Sequence, residues 1–261
     1  MKIQVLAVTM DQTDDSILER MNIQTDALIG NQCGENRVEQ QSYREHEVTF
    51  YHFRERGVGL NRNNLLMRSD ADICILADDD MRFVDGYEEK TAALFARYPD
   101  ADMLVFNLIE KDPRRFVNQQ VFRVTRRNFG KYGAARIAFR RKRVIQKGIF
   151  FHLMFGGGAV YSAGEDSIFL SDCLKKGLRI YAVPESIAEI DKSSESSWFK
   201  GYNQKFFTDR GALFATMSPH LAPLYALRYA VVKRKKYAEE ATCRQAIGWM
   251  LDGIQKVTGN E

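Results

Sequence analysis

The sequence predicts an α/β protein: a mixed, mostly parallel sheet flanked by helices, with a C-terminal helical extension. Three observations carry this. Short apolar, β-prone runs alternate with stretches of helical pattern, the alternation that builds parallel sheets. The run Ile73-Cys74-Ile75-Leu76-Ala77 stops at three consecutive acids, Asp78, Asp79 and Asp80. A short apolar run bounded by polar residues reads as a buried central strand, and acids past its carboxyl end sit where open α/β sheets bind ligands. The last part of the chain shows helical patterns alone; a domain over 1–215 and a helical extension over 216–261 are expected.

In chain order, Ile3 to Met10 is apolar and β-prone, a buried first strand with Thr9 at its carboxyl end. Asp14 to Met21 reads as a short helix with Thr13 or Asp14 as its cap. Strands follow at Asp26 to Asn31 and Val48 to Phe53. Gly57-Val58-Gly59-Leu60-Asn61-Arg62-Asn63 is a flexible turn entering a helix that runs to about Arg68. After the acid-tipped strand, a helix from about Gly86 to Tyr98 is stopped by Pro99, and Asp102 to Leu108 is a strand. Gly156-Gly157-Gly158 is a loop. Glu165 to Lys176 is a helix with Gly177 as its stop, and Leu178 to Val183 is a further strand. Ser197 to Arg210, Leu221 to Lys236 and Ala238 to Val257 read as helices.

The 261 residues are 45% hydrophobic and 28% charged, ordinary for a globular protein. No run approaches the ~20 apolar residues that span a bilayer. The N-terminus reads as a strand and not as a signal peptide. Four scattered cysteines (Cys33, Cys74, Cys173, Cys243) form no CxxC, which argues against zinc or a disulfide framework and fits a reducing cytosol.

The net charge of +4 is unevenly spread. Arg114 to Lys147 holds twelve Lys or Arg and no Asp or Glu, interleaved with Phe116, Phe122, Phe129, Tyr132 and Phe139. Such a block suggests an anionic partner (a phosphate-bearing substrate, a membrane surface or nucleic acid) or a merely solvated face. Three adjacent carboxylates repel one another, and a hard divalent ion held by oxygens is the usual remedy; the plain alternative is a solvated turn.

A set of motifs, in order, resembles the family 2 glycosyltransferases over roughly residues 1–215, and that extent sets the expected domain boundary. They are Thr9; Gly57-x-Gly59-Leu60-x-Arg62-Asn63; Asp78-Asp79-Asp80, similar to the family's DxD motif; Gly164-Glu165-Asp166 followed by Lys176-Gly177; and Ser196-Ser197-Trp198-Phe199-x-Gly201-Tyr202 with Arg210-Gly211. The last resembles a polysaccharide-synthesis subgroup. The resemblance implies the Rossmann-like GT-A fold and transfer of a sugar from a nucleoside diphosphate, a UDP-sugar first among candidates, to a saccharide or lipid-diphosphate-linked acceptor.

The chemistry suits these residue types. The leaving diphosphate gathers negative charge, which Mn²⁺ or Mg²⁺ on oxygen ligands would stabilise. The resemblance implies that Asp80 contacts the metal, that Asp78 contacts ribose or metal, and that Asp79, Thr9 and Asn31 belong to the nucleotide-sugar-binding set. Arg62 helps to hold the nucleotide. Asn31 stands where the family usually has a base-contacting Asp. Asp166 matches the base that takes the acceptor's proton, and one base attacking in line inverts the anomeric centre; Glu165 orients substrate or loop. Their alternative reading is a helix start favoured by the dipole. Asp191 lies where relatives often carry a metal-binding His, and is equally read as a loop acid. Gly157 and its neighbours let backbone approach the sugar. Trp198 stacks on an acceptor sugar or is simply a core residue.

The tail is apolar and aromatic from Leu221, then ends in Lys233-Arg234-Lys235-Lys236. It is expected either to lie on the anionic inner face of the cell membrane or to pack on its own domain or on a second copy in a homodimer. A sugar-nucleotide-forming nucleotidyltransferase is the alternative enzyme, but Met10-Asp11-Gln12-Thr13 is not its glycine-rich, basic loop. A protein binding nucleic acid or an anionic surface through residues 114–147 would leave Asp78 to Asp80 without a task, so no nucleic-acid partner is expected.

Overall fold

In a computed structural model, which describes residues 1–110, 116–190 and 199–259, a single sheet of ten strands organises the chain. Its elements are β1 (Ile3–Met10), α1 (Ser16–Arg20), β2 (Asp26–Gln32), β3 (Arg37–Tyr43), β4 (His46–Phe53), α2 (Val58–Arg68), β5 (Ile73–Asp78), β6 (Met81–Phe83), α3 (Tyr87–Arg97), β7 (Met103–Ile109), β8 (Phe122–Arg123), β9 (Ile137–Arg140), α4 (Arg141–Gln146), α5 (Glu165–Lys175), β10 (Ile180–Ile190), α6 (Gln204–Met217), α7 (Ala222–Val232), α8 (Arg234–Tyr237) and α9 (Cys243–Thr258). The strand order is β3-β4-β2-β1-β5-β9-β7-β10-β6, with β8 on β10. The block β4-β2-β1-β5 is wholly parallel, whereas β9 runs antiparallel to both β5 and β7. The sheet is therefore mixed, with a parallel half that carries the first strand at its centre.

The alternation of β1 explains the layering. Successive strand side chains point to opposite faces. Val5 and Ala7 enter one core with Ile17 and Leu18 of α1 and Leu94 and Phe95 of α3. Leu6 and Val8 enter the other with Leu65 and Leu66 of α2 and Phe169 and Leu170 of α5. Both faces are covered by helices, so the strand is apolar on both sides and reads as a continuous run.

Strands β3, β6, β8 and β9 and helix α4 escape the sequence reading. Strand β3 is polar (RVEQQSY) and exposed along nearly its whole length, as a sheet edge permits. Strand β9 and α4 lie inside the basic block. That block is no single cationic face. Arg136 pairs with Glu110 at 3.0 Å, Arg143 with Asp102 at 2.7 Å, and Arg140 donates to the carbonyls of Ala101 and Phe95. Phe139 and Tyr132 are buried in the core. Arg114 and Arg115 lie outside the described residues.

The C-terminal helices form their own core around Phe207, Ala226, Tyr237 and Met250. Helices α6 and α9 cross closely: a Cβ on Gly211 would run into the Met250 carbonyl, and one on Gly253 into that of Thr208. Helix α9 begins with a capping box of Thr242 and Gln245. The line at residue 215 falls inside α6, one continuous helix that also packs on α5 through Ala212, Leu213 and Ile168. The long helix expected from Leu221 to Lys236 is instead two, α7 and α8, with Lys233 between them.

Candidate active site

The parallel strands β1, β2 and β5 all end at the same edge of the sheet, and their last residues include Thr9, Asn31 and Asp78. Carboxyl ends of parallel strands are the usual ligand edge of such sheets. Helix α2 descends from this edge and buries Gly59, Asn61, Arg62, Leu65 and Leu66. Arg62 thus faces inward and is only 3% exposed. Its guanidinium lies 5.3 Å from the centroid of the Phe151 ring, which stacks in turn on Phe169.

A buried cation needs partners, and Arg62 has three. Nη2 donates to Asp78 at 2.6 Å; Nη1 donates to Glu165 at 3.1 Å and to Asp166 at 3.0 Å. One side chain therefore ties the end of β5 to the first turn of α5, and Arg62 itself lies 104 positions before Asp166. Burial alone would lower the Arg62 pKa, but Asp78, Asp166 and Glu165 hold it above its ordinary value.

Asp166 responds in the opposite sense. Burial pushes its carboxyl up; Arg62 opposes, while the charges of Glu165 and Asp78 add to the rise, and the result is about 7. A quarter of the side chain (26%) still reaches solvent. Gly133 borders it: a Cβ there would stand 3.2 Å from Asp166 Oδ2. Glu165 is more enclosed and is braced by the Gly164 amide at 3.1 Å.

The glycine loop supports these acids from behind. Gly156 has φ +100°, and a Cβ on it would press on Val58 at 2.6 Å and on the Glu165 carboxyl at 2.8 Å. Gly157 is buried, and its carbonyl accepts the Val58 amide at 2.8 Å, which fixes the start of α2. Its visible work is thus to hold the acid-bearing elements together. Thr9 Oγ1 donates to Asp79 at 2.6 Å, joining the ends of β1 and β5. Asn31, fully buried, accepts the Gln12 amide, donates to the Gln12 carbonyl and meets His52 Nδ1 at 3.1 Å. It pins the loop after β1, at the position where the resemblance puts a base-contacting Asp.

Asp78, Asp79 and Asp80 are all partly exposed. They offer oxygen donors only, which suits Mg²⁺ or Mn²⁺. Among the described residues, the one group of three or more His, Cys, Asp or Glu whose ligand atoms already lie within 4.8 Å of one another is Cys33 and Glu35, just past β2, with His52 near the end of β4. The acid triplet is therefore no closed cage; phosphate oxygens and water would complete its shell, as is usual for Mg²⁺. Asp191, Ser196, Ser197 and Trp198 lie outside the described residues.

Sequence reasoning thus names the acids and Arg62 but not the ion pairs that join them. The signal was present: an Arg at a helix position followed by Leu65 and Leu66 at i+3 and i+4 points inward, and an inward Arg requires carboxylates.

No protein-family model and no curated protein sequence matches the chain. Solved structures do. The chain is similar to residues 1–349 of the S. aureus GT-A glycosyltransferase TarS in complex with UDP-GlcNAc, with TM-score 0.70 and 14% identity over 98% of this chain and 82% of that one. It is also similar to the mannosyltransferase PcManGT from Pyrobaculum calidifontis in complex with GDP-Man and Mn²⁺, with TM-score 0.53 and 10% identity over 100% of this chain and 76% of that one. The class is thereby defined: the chain has the GT-A glycosyltransferase fold.

Proposed function

We propose that this protein is an inverting, metal-dependent glycosyltransferase that moves a sugar from a nucleoside diphosphate to a saccharide or lipid-linked acceptor. The observation that carries the proposal is the convergence of Asp78, Glu165 and Asp166 on Arg62 at the ligand edge of the sheet. The fold supports it, as do the nucleotide sugars in both similar structures. UDP-sugars are the first donors to test.

In this reading Asp166 takes the proton of the acceptor hydroxyl at its carboxylate as that oxygen attacks the anomeric carbon. A base with a pKa near neutrality suits the task, since it is deprotonated at working pH yet basic enough to accept. Arg62 is the positioning residue. It holds Asp166 and Asp78 in one frame, so that the base and the donor end of the cleft keep a fixed separation. Glu165 shares Nη1 of Arg62 with Asp166, and its charge helps to keep the Asp166 pKa raised. Thr9 aims Asp79, and Asn31 shapes the wall beside the nucleotide. Asp80, with Asp78 or Asp79, would hold Mn²⁺ or Mg²⁺; the ion, when bound, neutralises the charge that grows on the departing diphosphate.

Calorimetry with UDP- and GDP-sugars tests the donor side. Binding is expected with Mn²⁺ or Mg²⁺ and to weaken severely with chelator. Equal affinity under both conditions defeats the metal assignment, and no binding of any nucleotide sugar defeats the function.

A further inference from the structure

Helix α7 turns the ordinary helix pattern inside out. Its buried stripe is Ala222, Ala226 and Ala230, at spacing i, i+4, i+8. Small residues there let α7 lie close on α6 and α9. The large side chains face outward instead: Leu224, Leu227, Val231 and Val232, together with Leu221 just before the helix, are between 45% and 61% exposed. At 100° per residue they share one side of the helix with Arg228. A helix that only had to cover its neighbours would place its leucines inward and polar residues outward.

Charge points the same way. From Arg210 to Ala238 there is no Asp or Glu, and the stretch carries Arg210, Arg228, Lys233, Arg234, Lys235 and Lys236. The last four are exposed at the end of α7. Of the two acids that follow, Glu239 is exposed and Glu240 is turned to the Tyr202 amide at 2.7 Å. Beside the basic end, a cavity of about 260 Å³ opens between α6 and α7, lined by Phe214, Tyr225, Arg228, Tyr229, Val232 and Lys233. It pairs an aromatic floor with two cations.

We propose that α7 and the basic turn after it lie on an anionic phospholipid surface. The aliphatic face enters the acyl boundary, Arg228 and Lys233 to Lys236 meet lipid phosphates, and the cavity between α6 and α7 receives part of a lipid. Charge complementarity selects this occupant: a row of cations next to an aliphatic face matches phosphate headgroups over acyl chains. Among the described residues no helix is long and apolar enough to cross a membrane, so contact is in the plane of the surface. The inference rests on exposure and charge, not on the transfer reading, and the assay below needs no catalysis; failure of one leaves the other standing.

The test is sedimentation of the full chain with vesicles. Phosphatidylcholine vesicles carrying about 30% phosphatidylglycerol should bind at least about tenfold better than pure phosphatidylcholine, and the gain should shrink in high salt. Two variants separate the contributions. Leu224→Gln/Leu227→Gln/Val231→Gln removes the apolar face; Lys233→Gln/Arg234→Gln/Lys235→Gln/Lys236→Gln removes the charge. Each should lower binding at least about tenfold with its melting temperature kept near that of wild type, because all seven positions are exposed. No binding to anionic vesicles, or binding that survives the apolar variant, overturns the proposal. So does a dimer of the wild-type chain, seen by light scattering, that the apolar variant dissolves, since a second copy would then be the occupant.

Discussion

The acid–arginine cleft and helix α7 break the same rule in opposite directions. In the cleft, charge is buried: Arg62 sits beneath the surface with three carboxylates around it. On α7, aliphatic side chains stand in solvent over a floor of alanines. The first departure is compensated inside the chain, because four charges meet at hydrogen-bond distance. The second is not compensated by anything among the described residues. A departure that is satisfied internally points to a preorganised site, whereas one left open points to a partner.

The sharpest way to break the comparison lies in the cleft. Asp166→Asn should lower turnover by about 10²- to 10⁴-fold while donor affinity is kept, the usual range for loss of a general base. Wild-type rates in that variant would remove Asp166 from the role.

Arg62→Met comes next. It leaves Asp78, Glu165 and Asp166 facing one another without a counter-charge, and it should destabilise the fold by about 3–5 kcal/mol, the range seen when one partner of a buried pair is lost. Thermal melts measure this. Arg62→Lys should recover part of the stability but, lacking the planar fork, less of the turnover. If Arg62→Met melts like wild type, the cleft is held by other contacts.

A pH profile sharpens the reading of Asp166. Its folded pKa, about 7, lies above the ordinary carboxylate value. The proton is held below that pH and lost above it, so turnover should rise with pH through about 7. The sign for stability is opposite. Between the ordinary value and about 7 the folded state binds the proton that the unfolded state has lost, so this group's contribution to stability falls as pH rises across that window. Donor-free protein should show the effect in melts of wild type against Asp166→Asn, and a wild-type inflection near pH 4 would refute the raised value.

Smaller effects come from the helical extension. Gly253→Ala puts a methyl against the Thr208 carbonyl and should cost about 1–3 kcal/mol by forcing α6 and α9 apart. Leu224→Gln on α7 should change stability by no more than about 0.5 kcal/mol, because the side chain is exposed. A large loss there would mean that α7 packs in a way its exposure does not indicate.

What the chain's own order of residues determined was whatever depends on local pattern. The run Ile3 to Met10 is β1 to the residue, since its alternating side chains are apolar toward both layers. Gly177 ends the α5 region with φ +81°, a value that favours glycine. The acid triplet after β5 and the Glu165-Asp166 pair at the start of α5 were equally visible, because strand ends and helix starts carry polar residues where ligands bind. Only the tertiary structure decided what those residues do to one another. Strand β3 has no apolar signal because an edge needs none, and the cations of residues 136–143 look like one block until Arg136, Arg140, Arg141 and Arg143 find their own carbonyls or carboxylates. Arg62 and Asp166 are 104 positions apart, and no spacing rule links them. The sheet brings them together because α2 and α5 cover the same face, and burial there raises the Asp166 pKa against the pull of Arg62. Local pattern follows from bonds along the chain; charge pairing and burial follow from distances through space, which exist only once the chain has folded.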